Sequence, residues 1–376
     1  METSFPFERL RRAPDLEASN LFAWDASDLL LLDEARAYQQ LMGDPGVVVI
    51  GDNYGALSLG LVSRFRLPGL RVHQDLITGE QALRLNAGRL GLPEVFEQLP
   101  LGEKLLSGAR LVIMQLPRSL AELEEYCQAI ARFAGTETVL LAAGRVKHMT
   151  LAMNAVLERY FGGVQAGLAR QKSRLLTASR PSLPKEVPEF PRSGYLSELD
   201  LQLRVHGAVF SGTKLDIGTR FLLEQLEPEL PEAGVTAIDL GCGSGVLAAT
   251  LARKHPQWRV IATDRSAAAI ASARATAQAN GLQMEVLQDD GGASLPAGCA
   301  DLMVLNPPFH AGAAVHSGVA LRLFDAAARL LTSKGQLWTV YNRHLGYLPQ
   351  LRQAVGDTEL VAQNLKFAVT VSRRRD

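Results

Sequence analysis

Two tandem α/β units, each a mostly parallel sheet covered by helices on both faces and closed by an antiparallel hairpin, are the architecture this sequence predicts. Three observations carry it. At 376 residues the chain exceeds one ordinary core and suits two domains of roughly 150 to 200 residues. Pro181, Pro184, Pro188 and Pro191 stand among polar residues, a spacing that forbids helix interior and marks residues 180–194 as a linker between units 1–179 and 195–376. The flanking segments also repeat one another: Val47-Val-Val-Ile-Gly-Asp-Asn-Tyr-Gly-Ala-Leu57 lies beside Ala237-Ile-Asp-Leu-Gly-Cys-Gly-Ser-Gly-Val-Leu247, an offset of 190 residues.

The repeat continues along the chain. Asp75, followed by a helical stretch ending at Leu85-Asn86-Ala-Gly88, matches Asp264, followed by one ending at Ala279-Asn280-Gly281. Val112-Ile-Met-Gln-Leu-Pro-Arg118 sits beside Met303-Val-Leu-Asn-Pro-Pro-Phe309, and Ala143-Gly-Arg145 beside Tyr341-Asn-Arg343. The copies differ where chemistry would be done. Gly243 becomes Asn53, whose side chain would crowd a ligand needing close backbone approach, and Asn306-Pro-Pro-Phe309 becomes Gln115-Leu-Pro-Arg118. A silent first copy is the expectation.

In the second unit, residues 235–240 form an apolar run ending in glycines, residues 246–254 follow a helical pattern, and residues 259–263 are apolar again. Residues 266–279 are alanine-rich without proline, open beside the N-cap candidates Asp264 and Ser266, and stop at Asn280-Gly281. Strands follow at 284–287 and 301–305, a helix at 319–331, a strand at 336–341, and a closing hairpin of 359–363 with 367–372. Such alternation gives a doubly wound sheet in which the first and fourth strands are neighbours, so Gly241 to Gly245 and Asn306 to Phe309 should face one crevice.

Composition narrows the class. With 47% hydrophobic and 21% charged residues the chain reads as a soluble globular protein, and its longest leucine run, Leu29 to Leu32, cannot span a bilayer. Residues 1–9 lack the basic start and apolar core of a secretory signal, so a cytosolic location is expected. Cys127, Cys242 and Cys299 are odd in number and widely spaced, which argues against a disulfide framework or a metal site. The formal net charge is zero, so a nucleic-acid partner must be held by local basic patches.

The glycines of Gly241-Cys-Gly-Ser-Gly245 alternate, unlike the spacing of nicotinamide-binding loops. Such a turn lets the backbone approach a ligand while the N–H groups opening the next helix hold an anion such as a carboxylate. Asp264, ending the second strand, suits ribose hydroxyls, and Asp289 or Asp290 an adenine amine. Asp239 is expected to anchor the loop, and Cys242 to serve only as a small residue. Asn306 carries the reaction: its side-chain oxygen and the Pro307 carbonyl can accept both hydrogens of a planar amine as charge develops on its nitrogen. Pro307 and Pro308 stiffen that loop, and Phe309 offers a face for a stacked base. Together these read as a class I (Rossmann-like) S-adenosylmethionine methyltransferase fold, present twice with the N-terminal copy degenerate, and acting on an exocyclic or amide nitrogen without a metal.

The second unit resembles the bacterial guanine-N(2) ribosomal RNA methyltransferases, and the whole chain is similar to their large-subunit (23S) branch more than to the small-subunit branch. The words that carry the resemblance are Leu21-Phe-Ala-Trp-Asp25 with Leu29 to Leu32, Asn53-Tyr-Gly-Ala-Leu57, Phe210-Ser211, Leu215-Asp-Ile-Gly-Thr219, Asp239 to Gly245, Asn306 to His310, Asn342-Arg-His-Leu345 and Asn364-Leu-Lys-Phe367. It implies a guanine of 23S ribosomal RNA as substrate, and cofactor cover from Phe210, Asp216 and Thr219. One departure is Gly212, where relatives tend to carry arginine.

Arg343, His344 and Lys366, with Arg373 to Arg375, gather charge that could contact RNA phosphates, and Arg170, Lys172 and Arg174 offer the first copy a similar stripe. Trp24, Trp258 and Trp338 read as core. A monomer is expected. The same Asn-Pro-Pro-aromatic loop also suits adenine-N(6) or a protein glutamine amide, and a non-catalytic RNA-binding assembly factor is the reading from another class.

Overall fold

The first unit of the computed structural model, residues 1–189, has seven strands: Val47–Ile50 (β1), Leu70–His73 (β2), Phe96–Gln98 (β3), Leu111–Gln115 (β4), Val139–Arg145 (β5), Phe161–Ala166 (β6) and Ser173–Pro181 (β7). They lie in the order β3-β2-β1-β4-β5-β7-β6, with β1 to β5 parallel and β7 antiparallel to both β5 and β6. The second unit, residues 190–376, opens with a hairpin of Arg192–Leu196 (β8) and Leu201–Val205 (β9). Its main sheet comprises Thr236–Leu240 (β10), Arg259–Asp264 (β11), Glu285–Gln288 (β12), Ala300–Leu305 (β13), Leu331–Asn342 (β14), Gly356–Gln363 (β15) and Phe367–Arg374 (β16). Their order is β12-β11-β10-β13-β14-β16-β15, position for position that of the first unit. The repeat read from sequence is therefore a repeat of topology. The structure describes residues 5–43, 46–226, 232–308 and 313–375.

Near-continuous apolar runs form the central strands because both sheet faces are covered. Along β13 and β14, Val304, Trp338 and Val340 pack on the face shared with Leu222, Leu247 and Phe367, while Met303, Leu305, Leu337 and Tyr341 pack on the other with Phe324 and Tyr347. Trp258 and Trp338 are buried, and Trp24 packs half-buried on the first unit's core.

Several elements differ from expectation. Strand β7 runs into the expected linker as far as Pro181, and β8 begins inside it at Arg192. The prolines obscured a clean alternation in β9, where Leu201, Leu203 and Val205 are buried. Its free edge is satisfied by the next domain helix: the Gln202 N–H donates to Asn280 Oδ1 at 3.0 Å and the His206 N–H to Ser272 Oγ at 2.9 Å. The helix expected at 319–331 begins earlier, spanning Ala313–Leu330, and β14 begins directly after it. Short helices Ile217–Gln225 and Leu348–Ala354 were not anticipated. Among the described residues no helix is long and apolar enough to cross a membrane, and no cluster of His, Cys, Asp or Glu is placed to hold a metal ion.

Candidate functional site

Strands β10 and β13 pair in parallel with Leu240 opposite Leu305, so Gly241 and Asn306 leave the sheet side by side. The crevice expected from the winding reversal is formed. Its floor is the glycine turn, pinned to β11 by the Gly241 and Cys242 N–H groups, which donate to the Thr263 carbonyl at 2.8 and 2.9 Å. Gly241 and Gly243 hold φ of +78° and +53°, conformations that favour glycine. A Cβ on Gly241 would meet nothing within 4 Å, and one on Gly243 only Val209 Cγ1 at 4.0 Å. That open surface is where a ligand would rest against bare backbone. Gly245 serves differently: its Cβ would lie 2.9 Å from Ala273 Cβ, so it permits the close packing of helices Val246–Lys254 and Ala267–Ala279.

The acids around the turn are occupied. Asp239 is buried below the loop, accepts the Ala248 N–H at 3.0 Å and thereby anchors the start of the following helix. Burial pushes its carboxyl up to about 7; the Ala248 bond opposes this and the nearby Asp264 charge adds to it. Asp264 accepts the Gly243 N–H at 3.0 Å through one oxygen and the Ser266 N–H at 2.9 Å through the other. It braces the loop and caps the next helix. Asp289 holds Ser294 at 2.8 Å (N–H) and 2.5 Å (Oγ), and Asp290 pairs with Arg322 at 2.6 Å. Both carboxylates thus help to shape the turn after β12. Cys242 is buried, and burial pushes its thiol well above the usual range, with Asp239 and Asp264 adding to the effect. Such surroundings disfavour a thiolate there.

Asn306 is oriented by the helix ahead of the first strand. Its Nδ2 donates to Asp216 Oδ2 at 3.0 Å and to Thr219 Oγ1 at 2.9 Å, while Asp216 also caps helix Ile217–Gln225 by accepting the Thr219 N–H at 3.0 Å. Its Oδ1 is buried and has no hydrogen-bond partner. An ionised carboxylate only accepts, so the amide cannot turn over, and the unsatisfied oxygen stays aimed away from Asp216. Asp216 and Thr219, the residues expected to cover the cofactor, hold the Asn306 amide. Gly218 leaves room for this contact, since a Cβ there would come within 3.0 Å of Asp216 Oδ2 and 3.1 Å of Phe367. Pro307 is buried and Pro308 exposed. Phe309 and His310 lie outside the described residues. Phe210 is 56% exposed beside Val209, the residue nearest the open face of Gly243.

Basic residues divide between the two ends of the sheet. The Arg343 N–H donates to the Lys366 carbonyl at 2.8 Å, bringing exposed Arg343, His344 and Lys366 together at the end where Asn306 emerges. Arg373 pairs with Gln336 at the opposite end of β14, six residues from Asn342. At about 3.3 Å per residue this puts the Arg373–Arg375 run about 20 Å from the crevice end, so these basic residues form two groups. Arg373 is also paired with Glu359 at 2.7 Å.

The first unit keeps the frame and loses the cradle. Gln115, at the position of Asn306, donates its amide to Asp28 in helix Ala26–Glu34, a relic of the Asn306 arrangement. Asp52, at the position of Cys242, accepts the Ser58 N–H at 2.7 Å, replacing Asp239, whose position is taken by Val49. Gln74 reaches over to donate to the Asp52 carbonyl at 2.6 Å, and Asn53 lacks the left-handed φ of Gly243. Burial raises the Asp28 and Asp52 carboxyls, the Asp52 charge adding to the shift on Asp28. At the same sheet end, Arg118, Lys147, His148 and Lys172 are exposed, and Arg174 is half-buried. Partial burial lowers the His148 imidazole, and the charges of Arg118, Lys147 and Arg145 lower it further. Arg170 is paired with Glu34 at 2.9 Å.

The link between Asp216 and Asn306 was missed from sequence because ninety positions separate them. The Asp-x-x-Thr spacing, a helix N-cap pattern just ahead of the first strand, was the available signal.

Comparisons with known proteins agree on both units. A family model described as methyltransferase small domain matches residues 200–371, and one described as RLMG N-terminal domain matches residues 1–182. The chain is 35% identical to "Ribosomal RNA large subunit methyltransferase G" of Streptomyces avermitilis, covering 98% of this chain and 97% of that one. It is 36% identical to the protein of the same name from Pseudomonas paraeruginosa, covering 97% of each. Among solved structures it is similar to a T. thermophilus 16S rRNA N2 methyltransferase (RsmC) in complex with AdoMet and guanosine, with a TM-score of 0.75, 23% identity, and coverage of 93% of this chain and 92% of that one.

Proposed function

The chain belongs to the ribosomal RNA large subunit methyltransferase G family, and on that premise we propose that it methylates the exocyclic amine of a guanine in 23S ribosomal RNA, using S-adenosylmethionine. The observation that carries this reading is the unpartnered, buried Oδ1 of Asn306, held in one orientation by Asp216 and Thr219 beside the glycine turn.

The cofactor fits the residues present: open backbone at Gly241 and Gly243, the Asp264 carboxylate beside it, and the helix start at Gly245 suit its amino-acid end and ribose. When bound it supplies an electrophilic methyl on sulfur. The amine lone pair of guanine is delocalised into the ring, and Asn306 Oδ1 with the Pro307 carbonyl draws its two hydrogens into the geometry that frees that pair. Once the nitrogen has become cationic, its proton leaves to water, so no strong base is needed. Reaching the amine in structured RNA requires extrusion of the base, with Phe309 as its stacking face.

Arg343, His344 and Lys366 meet phosphates next to the crevice, and the first unit, with no cofactor cradle, positions RNA through Arg118, Lys147, Lys172 and Arg174. The protein acts as a monomer in the cytoplasm.

Labelled S-adenosylmethionine incubated separately with unmodified 23S RNA, 16S RNA, DNA and a release factor tests the reading. Label in 23S RNA alone, mapped to a guanine by mass spectrometry and lost in Asn306→Ala, is expected. Transfer to protein or to adenine would overturn it.

A further inference from the structure

We infer that Asn342 reads the N1–H of the target guanine and so separates guanine from purines that lack it. The inference rests on the proposed guanine methylation and concerns a residue that reading does not use.

Asn342 ends β14, the strand beside β13. Because Leu305 stands opposite Thr339, Asn306 continues the register opposite Val340, and Asn342 lies two residues further toward the crevice. Side chains alternate along a strand, so Asn342 shares the face of Val340 and Trp338, and Asn306 shares the face of Val304. These are one face, the one under helix Ile217–Gln225. Neighbouring strands about 4.8 Å apart and a rise of about 6.6 Å over two residues put the two asparagine Cα atoms about 8 Å apart, a span that one purine edge bridges.

The side chain has no structural employment. Asn342 occupies the N-cap position of the short helix Arg343–Leu345, yet makes no cap hydrogen bond. Its Oδ1 is buried without a partner, as is that of Asn306. The nearby Asn364 shows the ordinary alternative, its Oδ1 accepting the Lys366 and Phe367 N–H groups at 2.8 and 2.7 Å. Two buried amide oxygens left unpaired on one face of one crevice are a mould for a ligand edge with two donors. Guanine has that edge: the amine on C2 and the N1–H are adjacent donors. Adenine pairs its amine with an unprotonated N1, which would set a lone pair against the Asn342 oxygen.

2-Aminopurine tests the contact: it keeps the C2 amine but lacks both the N1–H and O6, so the change in preference between wild type and the Asn342 variants, rather than the wild-type preference alone, reads the N1–H contact. The 23S fragment spanning the mapped guanine is prepared with guanine or 2-aminopurine at that position, and kcat/KM is measured for full-length wild type, Asn342→Ala and Asn342→Asp. Wild type should prefer guanine by about 100-fold or more, since a site built around a donor rejects the analogue lacking it. Asn342→Ala should bring the ratio below about 10 by losing rate on guanine alone, and Asn342→Asp, which keeps an acceptor, should retain the preference. S-adenosylmethionine affinity, measured by calorimetry, should match wild type in both variants. A ratio unchanged in Asn342→Ala, or lost in Asn342→Asp while its cofactor affinity holds, would overturn the assignment of Asn342. Wild type that leaves the guanine fragment unmethylated would overturn the activity itself, and this inference with it.

Discussion

Asp216 sets the direction of Asn306: the carboxylate accepts from the amide nitrogen at 3.0 Å, beside Thr219 Oγ1 at 2.9 Å, and the amide oxygen is thereby turned away from Asp216. The helix cap and the reacting group are one hydrogen-bonded unit. Replacing Asp216 by Asn gives the cap a donor of its own, and the Asn306 amide loses the partner that forbids its reversal. Asp216→Asn should lower kcat by about 10²-fold, the order seen when one aimed polar group is lost, with cofactor affinity changed less than about threefold. Single-turnover rates with calorimetric binding check this; a loss of affinity alone would show that Asp216 acts on the cofactor.

The glycines of the turn should separate by readout. Gly241→Ala puts a side chain at φ +78° on the open face, and Gly245→Ala puts one 2.9 Å from Ala273. The first should weaken S-adenosylmethionine binding by about 10-fold or more, and the second should chiefly lower the melting temperature. Calorimetry and thermal unfolding on both variants decide it.

A pH dependence of stability follows from Asp239, whose carboxyl is raised to about 7. The folded protein keeps a proton that the unfolded chain gives up near its ordinary pKa. This contribution is therefore complete below about pH 4 and is lost as pH rises through about 7, a change on the order of 4 kcal/mol. In Asp239→Asn the amide oxygen can still accept the Ala248 N–H without a charge. The variant's second-unit unfolding transition should fall less than wild type's between pH 5 and pH 8 in denaturant titrations; equal slopes would remove Asp239 as the cause.

RNA affinity should respond to one end of the sheet only. Glutamate at Arg343 and Lys366 should weaken binding and reduce the slope of log K against log salt by about one per residue, whereas glutamate at Arg373 and Arg375 should leave the slope unchanged. Filter binding at several salt concentrations measures both. Lys147→Glu with Lys172→Glu puts the first unit to the same test, and an unchanged slope would release that unit from RNA contact.

One equivalent of S-adenosylmethionine per chain is expected by calorimetry, abolished by Gly243→Val. Two equivalents would show that the first unit is not silent.

The fold was legible because glycine turns, apolar runs and their nearly constant offset are local signals that survive in both copies. Gly241 to Gly245 and Asn306 could be brought together on paper because doubly wound sheets make the first and fourth strands neighbours. The hairpin from Arg192 to Val205 was hidden by prolines that resemble a linker. The contacts of Asp216 and Thr219 with Asn306 escaped because a polar side chain's distant partner is set by the tertiary fold, and sequence shows only that the group is present. The separation of Arg373 from Lys366 is a matter of strand direction: residues close in sequence on β16 reach opposite ends of the sheet.

The transfer of helix-anchoring duty from the strand to Asp52 would make silence of the first unit hard to reverse. Glycine at position 53 alone would free the backbone but leave Asp52 and Gln74 across the floor, and removing Asp52 alone would strip the Ser58 N–H of its acceptor, because Val49 has none to offer. Reviving the pocket takes several coordinated replacements, none sufficient alone and the loss of Asp52 harmful by itself, so the unit behaves as a ratchet that has clicked past its last single-step return.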